Sequence, residues 1–122
     1  MVEVAADLSC TAEQLFAIVW ETMVDVIGTA ATATLVRRSS RRISQRNAQI
    51  DCVSVNRDGI DFNYTVPEGW RRSGGDALAA LQALAHELSP LLVELTGPVL
   101  IRRLVASSDL ARCHILFEER IS

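Results

Sequence analysis

The chain reads as an α+β domain, and three observations carry that reading. Residues 10–46 and 76–106 place apolar side chains at helical spacing. Residues 49–66 instead alternate apolar with polar and contain a turn signal. Helical and strand runs do not alternate singly, as they would around a parallel sheet. The expected order is two N-terminal helices (or one long kinked helix), a β-hairpin, two to three further helices and a C-terminal strand. The strands would form a small antiparallel sheet covered by helices. No repeat, low-complexity tract or linker divides the chain, so residues 1–122 read as one domain.

Thr11 and Gln14 have the spacing of a capping box, which starts the first helix. Leu15, Phe16, Ile18, Val19, Trp20, Met23, Val24, Val26 and Ile27 then cover most of its circumference. Only a narrow stripe with Gln14, Glu21, Asp25, Thr29 and Thr32 is polar. A helix this apolar is buried on more than one side. Continued to Arg46 it would be about 55 Å long at 1.5 Å per residue. A domain of this size is only about 35 Å across. Gly28 is the expected bend, because glycine weakens a helix interior by about 1 kcal/mol.

Beyond Gln49, Ile50 and Cys52 alternate in one phase, and Val53 and Val55 in the other, which suggests a bulge. Asn56-Arg57-Asp58-Gly59 reads as a turn. Ile60, Phe62, Tyr64 and Val66 then alternate strictly with Asp61, Asn63 and Thr65, the second strand of a hairpin. Pro67 to Gly75 reads as a loop, and Asp76 as a cap. Leu78, Leu81, Leu84, Leu88, Leu91, Leu92 and Leu95 give the next helix a broad apolar face. Ser89-Pro90 and Thr96-Gly97-Pro98 each read as a stop and restart. Val99–Ala106 suits a short helix, with a strand as the alternative. Cys113, Ile115 and Phe117 alternate with His114, Leu116 and Glu118, as a third strand would.

The composition is 49% apolar and 22% charged, which excludes a disordered tail or a collagen-like repeat. Three widely spaced cysteines, Cys10, Cys52 and Cys113, argue against a disulfide framework and for a reduced cytoplasmic compartment. The amino terminus does not read as a signal peptide. No apolar run exceeds six residues, so no membrane span or membrane partner is expected. All 12 basic residues are arginine. That reads as a compositional bias of a bacterial-type source, since Arg57 and Arg120 share it outside any candidate site. It also removes any lysine Schiff base or P-loop lysine.

Five of the arginines, Arg37, Arg38, Arg41, Arg42 and Arg46, lie within ten residues. On a helix, residues 38, 42 and 46 share a face, with 37 and 41 beside it. Such a face can bind phosphates, nucleic acid or an acidic partner. The plainer account is a solvated helix end whose cations complement the dipole and pair with carboxylates. Arg71 and Arg72 are candidates to join the face. Trp70 beside them reads either as a partner anchor or as a ring folded back over the sheet. Net charge is −3 and no aromatic lies within the arginine run, which disfavours nucleic acid.

The small-residue run Gly28 to Thr34 suits close helix packing, within the fold or across a dimer, or else the floor of a ligand pocket. Trp20, Met23, Ile27, Gly28 and Ala31 are the candidate packing or dimer residues. Cys113-His114, with His86 and Cys52, offers metal-ligating side chains, but no ligand spacing accompanies them. On a strand Cys113 and His114 would face opposite ways. No metal or other cofactor is therefore expected. Gly74-Gly75-Asp76 opens a helix without the spacing of a phosphate loop. Asp25, within the apolar helix, sits on the polar stripe, where exposure is expected.

No catalytic constellation is recognisable. The sequence thus predicts a non-enzymatic regulatory, sensory or adaptor domain of signal transduction, acting as a homodimer through its N-terminal helices and holding an acidic protein partner. The alternatives are a sensor for a small apolar ligand, with a pocket between helices and sheet, and nucleic-acid binding through Arg37–Arg46.

Overall fold

The computed structural model describes residues 11–47, 52–72 and 75–117. Its elements run α1 (Ala12–Arg46), β1 (Ser54–Asp58), β2 (Asp61–Thr65), a 3-10 turn (Glu68–Arg71), α2 (Gly75–Thr96), α3 (Val99–Val105) and α4 (Ser108–Arg112). The fold is α+β, with a two-stranded antiparallel sheet.

Thr11 caps α1 as its spacing predicts: its Oγ1 accepts from the Gln14 N–H at 3.3 Å. Gly28 breaks the helix, with φ 84 and ψ 167. Glycine alone adopts that conformation readily, and one such residue turns the chain without ending the helix. The kinked alternative is therefore the one adopted. Its two halves are about 24 and 27 Å long at 1.5 Å per residue, and each fits the domain.

The N-terminal half buries Phe16, Val19, Trp20 and Met23. Phe16 meets Tyr64 edge-on at 4.7 Å between centroids and Trp70 at 6.1 Å. The C-terminal half buries Ala33, Val36 and Ile43. α1 packs chiefly on α2, and touches the hairpin, the 3-10 turn and α3.

The hairpin register runs from Ser54↔Thr65 to Asp58↔Asp61. β1 continues through Asp58, so the turn falls at Gly59-Ile60, three residues after the Asn56–Gly59 signal begins. Gly59, at φ 66, supplies the positive φ of such a turn. The expected bulge lies partly outside the described residues, and Cys52 and Val53 are not in a strand.

α2 runs through Pro90, against the expected stop. Leu84 and Leu88 before the proline and Leu92 after it are all fully buried. Burial on one face outweighs the single hydrogen bond the ring removes. Gly97 does end α2: at φ 66 its N–H donates to the Val93 carbonyl at 2.8 Å. Val99–Val105 is a helix, not a strand.

The expected C-terminal strand is not formed. Residues 113–117 keep the alternating burial, with Cys113, Ile115 and Phe117 inside, but pair with no strand. Gln82 of α2 takes the strand's place. Its Nε2 donates to the Leu116 carbonyl at 2.9 Å and its Oε1 accepts from the Leu116 N–H at 2.7 Å. The alternation is satisfied by a helix surface, so the sheet stays two-stranded among the described residues.

α1 and α2 are each long and apolar enough to cross a membrane by length and composition. The six-residue limit on apolar runs understates them because isolated polar residues interrupt each run. In this fold 33% of the apolar window in α1 and 39% of that in α2 is buried.

Candidate functional site

The five clustered arginines occupy the last third of α1, and all are exposed. Tertiary structure divides them into two groups. Arg42 and Arg46 turn toward α2, where Glu87 is 8% exposed. Arg46 Nη1 bonds Glu87 Oε2, and Arg42 Nε stands 3.9 Å from Glu87 Oε1. A carboxylate buried among leucines needs a cation beside it. These two arginines supply it from the surface, so their role is to hold α1 on α2.

Arg37, Arg38 and Arg41 form no ion pair among the described residues. Arg37 reaches the Val55 carbonyl with Nη2 at 3.5 Å, a weak contact. Two concavities flank these side chains. One, about 520 Å³, lies between α1 and β1. Arg37, Ser40, Arg41, Ser44 and Gln45 form its helix wall, and Cys52 and Val53 with the first two residues of β1, Ser54 and Val55, form the other. The other, about 390 Å³, lies on the far side of the Arg37–Arg41–Gln45 row and is lined by Thr34, Arg38 and Arg42 as well. The helix-to-sheet concavity is thus cationic along one wall, and it sits at the arginine segment rather than under the leucine-rich helix.

Cys52 is a free, half-buried thiol that lines the concavity of about 520 Å³. Burial pushes its pKa up from the ordinary value of 9.0, while hydrogen bonds from the Ser40 hydroxyl and the Val53 N–H pull it down. Burial dominates, so the thiol stays protonated at neutral pH and is a poor nucleophile. Ser39, on the adjacent helical position, is fully buried, and its hydroxyl has no partner among the described residues.

The other arginines expected at this face are elsewhere. Arg71 pairs with Glu13 at 3.2 Å, at the opposite end of α1, and Arg72 with Glu68 at 3.1 Å. Trp70 is 2% exposed, packed on Phe16. It is a core residue and not a partner anchor. The loop looked polar because its one apolar side chain turns inward across a 3-10 turn.

Among the expected packing or dimer residues, Trp20 and Met23 are buried in the chain's own core and Ile27 and Ala31 half-buried. Gly28 is exposed at the break. Trp20 and Met23 are therefore unavailable to a second copy. Asp25 is exposed and stands 3.6 Å from Arg103.

Cys113 is disulfide-bonded, contrary to the expectation of unpaired cysteines. The ground for a reduced compartment falls with it, since disulfides persist under oxidising conditions. His86 and His114 are exposed. Among the described residues no group of three or more His, Cys, Asp or Glu side chains is placed to hold a metal ion.

Glu87 is the functional partner that sequence spacing did not reveal. It lies 41 positions from Arg46. The one signal was a lone carboxylate beside Leu88 on the apolar side of a leucine-rich helix.

Compared with protein-family models, curated proteins and solved structures, the chain matches none.

Proposed function

We propose that the chain is a non-enzymatic regulatory or adaptor module that recruits an acidic protein partner through Arg37, Arg38 and Arg41. One observation carries the reading. Among the described residues, three adjacent guanidiniums stand exposed without a carboxylate, beside two arginines that are locked to one. The chain has more acids than bases, yet no carboxylate among the described residues compensates this patch.

Guanidinium presents a planar fork of donors that fits carboxylates. Its charges steer an acidic partner in and select against basic ones. Exposed ion pairs are weak, about 0.2–1 kcal/mol each. Three would yield about 0.6–3 kcal/mol, against about 8 kcal/mol for a micromolar complex. The patch therefore confers choice of partner and speed of encounter, and contacts from the neighbouring concavities complete the affinity.

The test is titration of a fluorescent octa-glutamate peptide at about 20 mM salt. Binding is expected, falling steeply with salt. The triple variant Arg37→Glu, Arg38→Glu, Arg41→Glu should lose at least tenfold, and Arg72→Glu at the far end of α1 should lose nothing. An unaffected triple variant, or an oligonucleotide that outcompetes the peptide, overturns the reading.

A further inference from the structure

The outer edge of β1 and the arginine row of α1 are two walls of one groove. The helix wall, residues 37–45, is about 12 Å long at 1.5 Å per residue. The other wall runs from Cys52 and Val53 into the first two residues of β1, Ser54 and Val55.

The hairpin register determines what the strand wall offers. Asp58↔Asp61 closes a two-residue turn, and such a closing pair exchanges both backbone hydrogen bonds. Alternation then makes Asn56↔Asn63 and Ser54↔Thr65 bonded pairs. Arg57 and Val55 fall between them, with their N–H and C=O directed away from β2. The 3.5 Å contact from Arg37 to the Val55 carbonyl agrees, because that carbonyl must point outward to receive it. No other backbone bond to Val55 or Arg57 is made on this side among the described residues. An edge with unpaired donors and acceptors is a template for another strand.

The spacing of the cations matches a strand as well. Arg37 and Arg41 are one helical turn apart, about 6 Å. Alternate side chains on one face of a strand are about 6.7 Å apart. An extended chain lying on β1 with acidic residues at every second position would set one carboxylate under each guanidinium. Its intervening side chains would lie on the opposite face, because Val55 and its cross-strand partner Tyr64 share the face that packs on α1.

Resting on the acidic-partner reading above, the geometry points to an extended acidic peptide segment that adds to β1 as a third strand, in the groove beneath Arg37 and Arg41. Backbone hydrogen bonds supply the affinity that exposed ion pairs lack, and the arginines select the sequence.

The experiment uses the whole chain and a capped peptide of alternating glutamate and valine, seven residues long. Two further versions carry N-methyl groups, one on the odd residues and one on the even. Binding of the parent peptide should slow amide exchange at Val55 and Arg57 by at least tenfold. One methylated version should lose at least tenfold in affinity and the other little, because only one set of its amides faces β1. If all three peptides bind equally and Val55 and Arg57 exchange unchanged, strand addition is wrong while the acidic-partner reading stands. If no acidic peptide binds at low salt, the acidic-partner reading itself fails. Protection of Val55 and Arg57 that rises with protein concentration, without peptide, overturns the proposal in favour of edge pairing between two copies.

Discussion

Gly28→Ala asks how much the break in α1 matters. At φ 84 and ψ 167 the residue occupies a region that is essentially glycine's alone. Nothing lies within 4 Å of an added Cβ, so the cost is backbone strain without a clash. That strain is about 1–3 kcal/mol. Alanine recovers about 0.4–1 kcal/mol by restricting the unfolded chain. The net loss is about 1–2 kcal/mol, or a fall in Tm of roughly 3–8 °C for a domain of this length.

The chain has one escape, which is to straighten. Alanine favours a continuous helix by about 1 kcal/mol over glycine. A straight α1, however, cannot keep both Phe16 with Met23 and Val36 with Ile43 inside one core. Exposing any of these costs about 1.5–3 kcal/mol. Destabilisation follows either way, and thermal and urea melts measure it. D-alanine introduced by semisynthesis is the control, since its mirrored preference suits positive φ, and it should match or exceed the parent. A Gly28→Ala protein as stable as the parent would refute the reasoning.

Three further outcomes follow from particular side chains. Ser39→Ala removes a buried hydroxyl that has no partner among the described residues, so stability should rise by about 1 kcal/mol, read by urea titration; a loss would mean the hydroxyl is satisfied. Glu87→Met, which removes a buried charge and retains volume, should change stability by no more than about 1 kcal/mol, whereas Arg42→Ala with Arg46→Ala strands the carboxylate and should cost about 3 kcal/mol; equal losses would contradict the assignment. Cys52 and Tyr64 both titrate above their ordinary values of 9.0 and 10.0, through burial, aided at Tyr64 by Glu21 and Glu13. The folded state therefore holds these protons more tightly than the unfolded one. The stability they contribute is intact below pH 9 and declines as pH rises through the raised values. Melts at pH 8 and 10 should show this loss, and a Cys52→Ala, Tyr64→Phe double variant should show less of it.

Local signals in the chain were legible wherever they act locally. Thr11 with Gln14, the lone Gly28, the alternation of residues 61–65 and Gly97 each operate within a few residues, and each acts as read; Ile60, expected to open the strand, is instead an exposed turn residue. The misreadings share one cause. Pro90 was read by its propensity, but buried leucines on both sides hold α2 together. Residues 113–117 alternate as a strand does, but their partner is Gln82, and a side-chain amide leaves no periodic trace. The arginine cluster was visible as a run. Its division into two locked and three open cations depends on Glu87, on another helix. Trp70 was open between an anchor and a folded-back ring because only tertiary packing decides it, and Cys113 looked unpaired because spacing does not reveal a bridge.

Trp20 and Trp70 both stand against Phe16, on the hairpin side of the Gly28 break. The chain has no other tryptophan. Intrinsic fluorescence is therefore a local gauge. It watches the aromatic junction of α1, the hairpin and the 3-10 turn, and it is blind to the arginine-bearing half of α1. Far-ultraviolet circular dichroism weights all the helices together. If the two signals melt at one temperature, the break is a bend within one cooperative unit. If the helical signal fades first, the half that carries Arg37 and Arg41 opens on its own, and the groove beside β1 widens while the aromatic junction stays closed.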